Sequence, residues 1–211
     1  SDSASAGRIA AVTPTGTNTI YRGEWKTIAS GSVLPGQRGC FGQGGNAEID
    51  YVTISTLGNA LHFGDGLVSM QQYMAGTDSG TNDRGFLTLG RTTAGADVNR
   101  IEMITISTPS NTVDYGDAIT LEGRSSTALS NGPNDRAVLA QDEDDSKVME
   151  FFSMRSFGNA IFFGNLQNIG TAPGSFSNGT DNRGIIAGGY NNHDEMEFIN
   201  ILSTGDASFF G

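Results

Sequence analysis

Apolar and polar side chains alternate one by one through short runs of this chain, and the runs end at Gly, Asn, Asp or Ser. In "DYVTIST" one face takes Asp50, Val52 and Ile54, and the other takes Tyr51, Thr53 and Ser55. A period of two among β-branched and aromatic residues predicts a strand. The same run returns as "EMITIST" from Glu102, "EFFSMRS" from Glu150, "EFINILS" from Glu197 and "EWKTIAS" from Glu24. In each full copy the face behind the acid is apolar, and the opposite face also opens on a large apolar residue. That pattern predicts sheets covered on both sides, and no long stretch carries a helical stripe with caps.

Two further phrases recur in fixed order with these strands, at a period of about 47 residues. One starts with arginine: "RIAAVTP" from Arg8, "RGCFGQGG" from Arg38, "RGFLTLG" from Arg84, "RAVLAQ" from Arg136 and "RGIIAGGY" from Arg183. The other is "NALHFGD" from Asn59, "NTVDYGD" from Asn111, "NAIFFGN" from Asn159 and "DASFFG" from Asp206. From the acid to the next arginine is 34, 34 and 33 residues, whereas arginine to acid varies from 12 to 18. The rigid part therefore runs from acid to arginine, and the variable loop follows the arginine strand. Between Glu24 and Arg38 lie too few residues for a complete unit.

Each unit reads as four short strands; in one they are "STALS", "RAVLA", "VMEFFSM" and "NAIFFGN". A sheet of that size cannot bury both faces alone, but several packed face to face around an axis can. The expected fold is all-β, a propeller of four to five four-stranded blades with the first incomplete. Residues 1–7 are expected to form a flexible polar arm, and 8–211 a single repeat-built domain. In the recurring "NxxxFGD" phrase, Phe63, Tyr115, Phe163 and Phe210 are expected to be equivalent packing residues. The glycine after each is expected to let the chain leave its strand without a Cβ clash, so that the phrase closes the blade.

Composition narrows the functional classes. Twelve basic against twenty-three acidic side chains give a formal charge of −11, which disfavours nucleic acid and anionic lipid surfaces. No run of eighteen apolar residues predicts membrane insertion. Cys40 is the single cysteine, so no internal disulfide and no cysteine-based zinc site is expected. The two histidines, His62 and His193, fall at non-equivalent repeat positions and outside any triad or metal-ligand spacing. No catalytic set is expected.

The phrases "RGIIAGGY" with "EMEFINILSTGDASFFG", and "RGCFGQGG" with "IDYVTISTLGNALHFGD", resemble the kelch-like repeats of virion structural and tail-associated proteins of tailed phages, especially those of marine cyanobacteria. The resemblance covers the chain from Arg8 to Gly211. The glycine pair ending the family's second strand is matched by Gly44 and Gly45 and by Gly188 and Gly189; one middle unit keeps only Gly90 and the other has no pair. The resemblance implies a propeller-like fold and a structural or receptor-binding task in a virion or outside the cell, with other virion proteins, copies of itself or a host glycan as partners.

Some positions carry candidate chemistry. Asp142, Asp144 and Asp145, with Glu143, form an acidic loop whose hard oxygen donors suit calcium, although the glycine and distal glutamate of an EF-hand loop are absent; a solvated acidic turn is the plainer reading, with no cofactor. Tyr190, Asn191 and Asn192 lie in the corresponding loop of the last unit, where a stacking ring beside amides suits a sugar. Trp25 stands at an aromatic strand position and is a blade-packing residue first, a sugar platform second. A glycan-binding module is thus the alternative function, and a glycan-cleaving enzyme a more distant one. The repeated arginines are expected not to meet the acid of their own hairpin, because Asp50 should lie opposite Phe41. Each is expected instead to pair across a blade boundary.

Overall fold

A computed structural model describes residues 11–12, 18–19, 37–42, 44–72, 74–141, 146–190 and 194–211. The chain divides into two compact units, Ser1–Leu34 and Pro35–Gly211. In the first, β1 (Ala11–Val12) pairs antiparallel with β2 (Asn18–Thr19).

The second unit is built from four antiparallel sheets, each a meander of neighbouring strands. Blade 1 holds β3 (Arg38–Gly42), β4 (Glu48–Thr53) and β5 (Leu61–Asp65), three strands among the described residues. β6 (Met70–Gln72) and β9 (Arg91–Thr92) pair as a separate two-stranded antiparallel ribbon. Blade 2 holds β7 (Ala75–Asp78), β8 (Arg84–Thr88), β10 (Arg100–Thr105) and β11 (Val113–Asp117). Blade 3 is β12 (Thr127–Ser130), β13 (Arg136–Ala140), β14 (Val148–Ser153) and β15 (Ile161–Asn165). Blade 4 is β16 (Gly174–Ser177), β17 (Arg183–Ala187), β18 (Met196–Asn200) and β19 (Ser208–Phe209). The four strands expected per unit are those observed in blade 3.

The register follows the alternation. Phe41 faces Asp50 while Arg38 faces Thr53, so arginine and acid of one hairpin sit apart as the spacing predicts. One detail was not legible: at Ile49/Asp50, Ile101/Glu102 and Met149/Glu150 the third and fourth strands shift register. A bulge turns the strand locally and re-aims the side chain beside it. Here it sits at the acid in each case.

The first strands β7, β12 and β16 lie side by side. Hydroxyls stitch them together: Ser130 Oγ donates to the Asp78 carbonyl at 2.6 Å, and Ser175 Oγ to the Ala128 carbonyl at 3.0 Å. Between first and second strands runs a tight turn whose last residue, Asp83, Asp135 or Asn182, has a left-handed backbone with φ of 63, 65 and 64°. Asn and Asp tolerate that region better than other residues with a Cβ, which fits the "ND" or "DN" before each arginine.

The apolar cores lie between blades. Ile49 and Phe63 of blade 1 pack with Ile104 of blade 2; Phe86, Ile101 and Tyr115 of blade 2 pack with Phe152, Met154 and Ala160 of blade 3. Val138, Met149 and Phe163 of blade 3 pack with Ile186, Ile199 and Ile201 of blade 4. Full burial of one such side chain is worth about 1.5–3 kcal/mol. Most of that gain is made only when a neighbour is present, which is the thermodynamic reason for the repetition.

Candidate functional site

The repeated residues converge on the seams between blades, and each seam is built in the same way. The first contact comes from the glycine of the "NxxxFGD" phrase. A Cβ on Gly64 would overlap the Ser110 carbonyl of blade 2; on Gly116 it would overlap that of Gly158, and on Gly164 that of Gly205. The next blade's turn lies directly on the strand, so only a residue without a side chain fits. The glycine lies inside the last strand of its blade and serves the neighbour, whereas the expectation gave it the task of ending the strand.

The phrase also hydrogen-bonds to its own next copy. Its first residue accepts from the last residue of the preceding copy: Asn111 Oδ1 from the Asp65 amide at 3.0 Å, Asn159 Oδ1 from Asp117 at 3.1 Å and Asp206 Oδ1 from Asn165 at 2.8 Å. Backbone bonds reinforce the junction, from the amides of Thr112, Ala160 and Ala207 to the carbonyls of Asp65, Asp117 and Asn165 at 2.8–2.9 Å. One phrase thus supplies the tail of one joint and the head of the next. That is why its two ends are always written together.

The strand acid supplies a third contact. Glu102 accepts from the Leu67 amide at 3.1 Å and from Thr112 Oγ1 at 2.7 Å. Glu150 takes the amides of Ile119 and Thr120 at 2.8 and 2.6 Å, one on each oxygen, and Glu197 takes those of Gln167 and Asn168. All three carboxylates are buried, and each satisfies backbone donors of a loop in the preceding blade. Buried donors left without acceptors would cost about 1–3 kcal/mol each. At Glu102 and Glu150 a bulge beside the acid turns it toward that loop.

Arginine completes the seam in the opposite direction. Arg38 Nη1 donates to the Ile106 carbonyl at 2.8 Å, Arg84 Nη1 to Met154 and Arg155 at 2.6 and 2.9 Å, and Arg136 Nη1 to Ile201 and Leu202 at 3.1 and 2.8 Å. These three arginines cross a blade boundary, as expected, and meet strand-end carbonyls, Arg38 one and Arg84 and Arg136 two each. Arg183 reaches no carbonyl of another blade among the described residues, and Arg8 lies outside them. In its own blade the guanidinium lies over a ring: Arg38 over Tyr51 at 4.4 Å, Arg136 over Phe151 at 4.0 Å and Arg183 over Phe198 at 4.9 Å. Those rings in turn meet the phrase's aromatic edge-on, in Tyr51–Phe63, Phe151–Phe163 and Phe198–Phe210, at 6.0–6.2 Å. Burial pushes the Arg136 guanidinium below its ordinary range.

Chemistry of other kinds is sparse. His62 is exposed and stands 4.0 Å from the Asp50 carboxyl, its neighbour across the strands. Burial raises the Cys40 thiol, with Arg38 opposing, which keeps it protonated and a poor nucleophile. Burial likewise raises the Tyr115 phenol, whose hydroxyl donates to the Ser153 carbonyl of blade 3 at 2.8 Å. Among the described residues no three His, Cys, Asp or Glu side chains cluster as a metal site. Of the candidate ligand-binding residues, Tyr190 is exposed beyond the end of β17, its amide bonded to the Thr171 carbonyl at 2.6 Å. Trp25, Asn191, Asn192, Asp142, Asp144 and Asp145 lie outside the described residues.

No family model and no curated protein matches the chain. Among solved structures, a chain of the nidogen/laminin complex superposes with a TM-score of 0.54 at 11% identity, over 81% of this chain and 59% of that one. Hydrazine synthase of Kuenenia stuttgartiensis does so with a TM-score of 0.49 at 8% identity, over 89% of this chain and 53% of its own. The first is a β-propeller protein, and at 11% identity its likeness shows the fold alone. This chain spans a little over half of each.

Proposed function

We propose that this chain is a non-enzymatic structural component of a virion, placed on a tail, fibre or capsid surface and taking part in host attachment. What carries the reading is where the repeated residues go: at all three seams arginine, acid, glycine and head Asn or Asp hold blade to blade. A chain whose repeated polar groups are spent on rigidity serves as a scaffold. The kelch-like repeat phrases supply the virion context, and the strongly acidic surface suits a soluble exterior location. Antibodies raised against the chain should label purified tailed-phage particles from its source in electron micrographs. Label confined to host cells, with particles bare, would overturn the proposal.

Glycan binding is a second reading, supported by the exposed Tyr190 ring beside Asn191 and Asn192 in sequence. Several weak equivalent sites on one particle would add their avidities. A glycan array probed with the purified chain tests it: binding competed by free sugar and lost in Tyr190→Ala is the expected result, and silence across host surface polysaccharides removes it.

A further inference from the structure

Each seam has a donating face, which supplies arginine and the phrase's glycine, and a receiving face, which supplies the acid, the strand-end carbonyls and the head Asn or Asp. Blades 2 and 3 have both faces occupied. Blade 4 presents a donating face on which no described strand lies. Arg183 is exposed, whereas Arg38, Arg84 and Arg136 are half-buried, and among the described residues no carbonyl accepts from its guanidinium. Phe176 is 60% exposed, yet Leu129, its equivalent in blade 3, is buried with its Cδ1 pressed onto the backbone of Gly184 in blade 4.

Blade 1 presents the matching receiving face. Ile54 is 67% exposed where Met154 and Ile201 are buried, and Ala60 is exposed where Thr112, Ala160 and Ala207 are buried. Asp50 stands half exposed where Glu102, Glu150 and Glu197 are covered. Gly39 is the counterpart of Gly184. The atoms nearest a Cβ there belong to Phe41 and Val52 of its own blade, at 3.5–3.6 Å, whereas at Gly184 the nearest is Leu129 of the preceding blade, so no large side chain of another blade seats as closely in the blade 1 notch among the described residues.

We infer that the donating face of blade 4 docks on the receiving face of blade 1 in a second copy of this chain. Phe176 seats on Gly39, and Arg183 donates to the carbonyl end of β4 near Ile54, as the three internal arginines do at their seams. The partner is identified by continuity: the interface is the internal seam once more, and one chain carries both halves. The charges agree, cation on one face and carboxylate on the other. Because the two faces differ, the contact is heterologous and runs head to tail, closing as a ring or continuing as a filament. It stands whether or not the virion reading does, since labelling of particles does not depend on it.

Sedimentation of the full chain over a concentration series, with two variants, tests this. Wild type is expected to associate as concentration rises. Phe176→Asp spoils the donating face and Gly39→Trp fills the receiving notch, so each alone is expected to sediment as a monomer with a wild-type circular dichroism spectrum. An equimolar mixture still holds one good face of each kind and is expected to give a heterodimer and nothing larger. A wild-type monomer at every concentration, as closure within one chain would give, overturns the inference, as does a mixture that stays monomeric. If one variant fails to fold, Arg183→Glu replaces Phe176→Asp, or Ile54→Asp replaces Gly39→Trp, with the same expectations.

Discussion

Phe163 and Phe210 occupy the same place in the repeat, and each stands edge-on to the aromatic residue of its neighbouring strand, at 6.0 and 6.2 Å. Phe163 is nonetheless buried, with Met149, Ile199 and Ile201 in one apolar cluster, whereas Phe210 is 50% exposed. The contrast separates two contributions that a repeat normally confounds. Contacts within a blade are set by its own alternation and are complete in blade 4. Burial is conferred by the next blade, and there no described strand provides it. A blade is thus a well-specified sheet that is thermodynamically incomplete by itself.

Truncating the two rings should expose that difference most strongly. Phe163→Ala leaves a cavity between blades and should cost about 3–5 kcal/mol in urea unfolding. At low protein concentration Phe210→Ala should cost about 1 kcal/mol, since only half of its surface leaves water. Equal losses would show that the ring stack within a blade carries the energy. The glycines sharpen the comparison from the opposite side. Gly164→Ala drives a Cβ into the Gly205 carbonyl and should destabilise by about 3 kcal/mol, the upper range for overpacking. Gly211→Ala meets only the mobile tip of Met196 at 3.3 Å and should stay within about 0.5 kcal/mol of wild type. A well-tolerated Gly164→Ala would mean that the seam is looser than its geometry.

The acids form a third pair. Glu150 holds the amides of Ile119 and Thr120 on its two oxygens, so Glu150→Gln turns an NH₂ toward a backbone N–H and should cost about 1–3 kcal/mol. Asp50 is half exposed, with the His62 ring 4.0 Å away, and Asp50→Asn should change stability by about 0.5 kcal/mol or less. Comparable losses would indicate that Asp50 also caps a loop.

The strands of every full unit were legible because period-two alternation and turn residues are local properties of the chain. The offset of Asp50 from Arg38 followed from hairpin length alone, and the all-β propeller followed from sheets too small to bury themselves. The seam was legible only in part. That arginine crosses a boundary could be argued by elimination, but its acceptors are backbone carbonyls, and any residue type can supply those. The glycine's role was misplaced for a related reason: "FGD" shows that a Cβ is excluded and does not show by what. The bulges at Asp50, Glu102 and Glu150 leave no compositional mark, although at Glu102 and Glu150 they help aim the acid at the preceding loop. The strict pairing of Asn or Asp at the head of the phrase with Asp or Asn at its tail was the signal that could have revealed a head-to-tail joint.

The smallest loss expected at a buried seam position concerns Tyr115, the member of the phrase's aromatic set that carries a hydroxyl. Phe63 and Phe163 fill the same place without it, so apolar packing alone suffices for a seam, and the phenol adds one hydrogen bond to the Ser153 carbonyl at 2.8 Å. Tyr115→Phe should therefore cost about 0.5–1.5 kcal/mol near neutral pH. The pH dependence carries a sign. Burial raises the phenol above its ordinary range, partly opposed by Arg84, so the folded chain holds that proton more tightly than the unfolded one. This contribution is complete below the ordinary tyrosine pKa of about 10, and it is lost as pH rises from there through the raised folded value. Wild type should lose urea resistance over that alkaline window more steeply than Tyr115→Phe, and the gap between the two should narrow with pH. A gap that stays constant would place Tyr115 on the same footing as Phe163, with its hydroxyl contributing nothing that titrates.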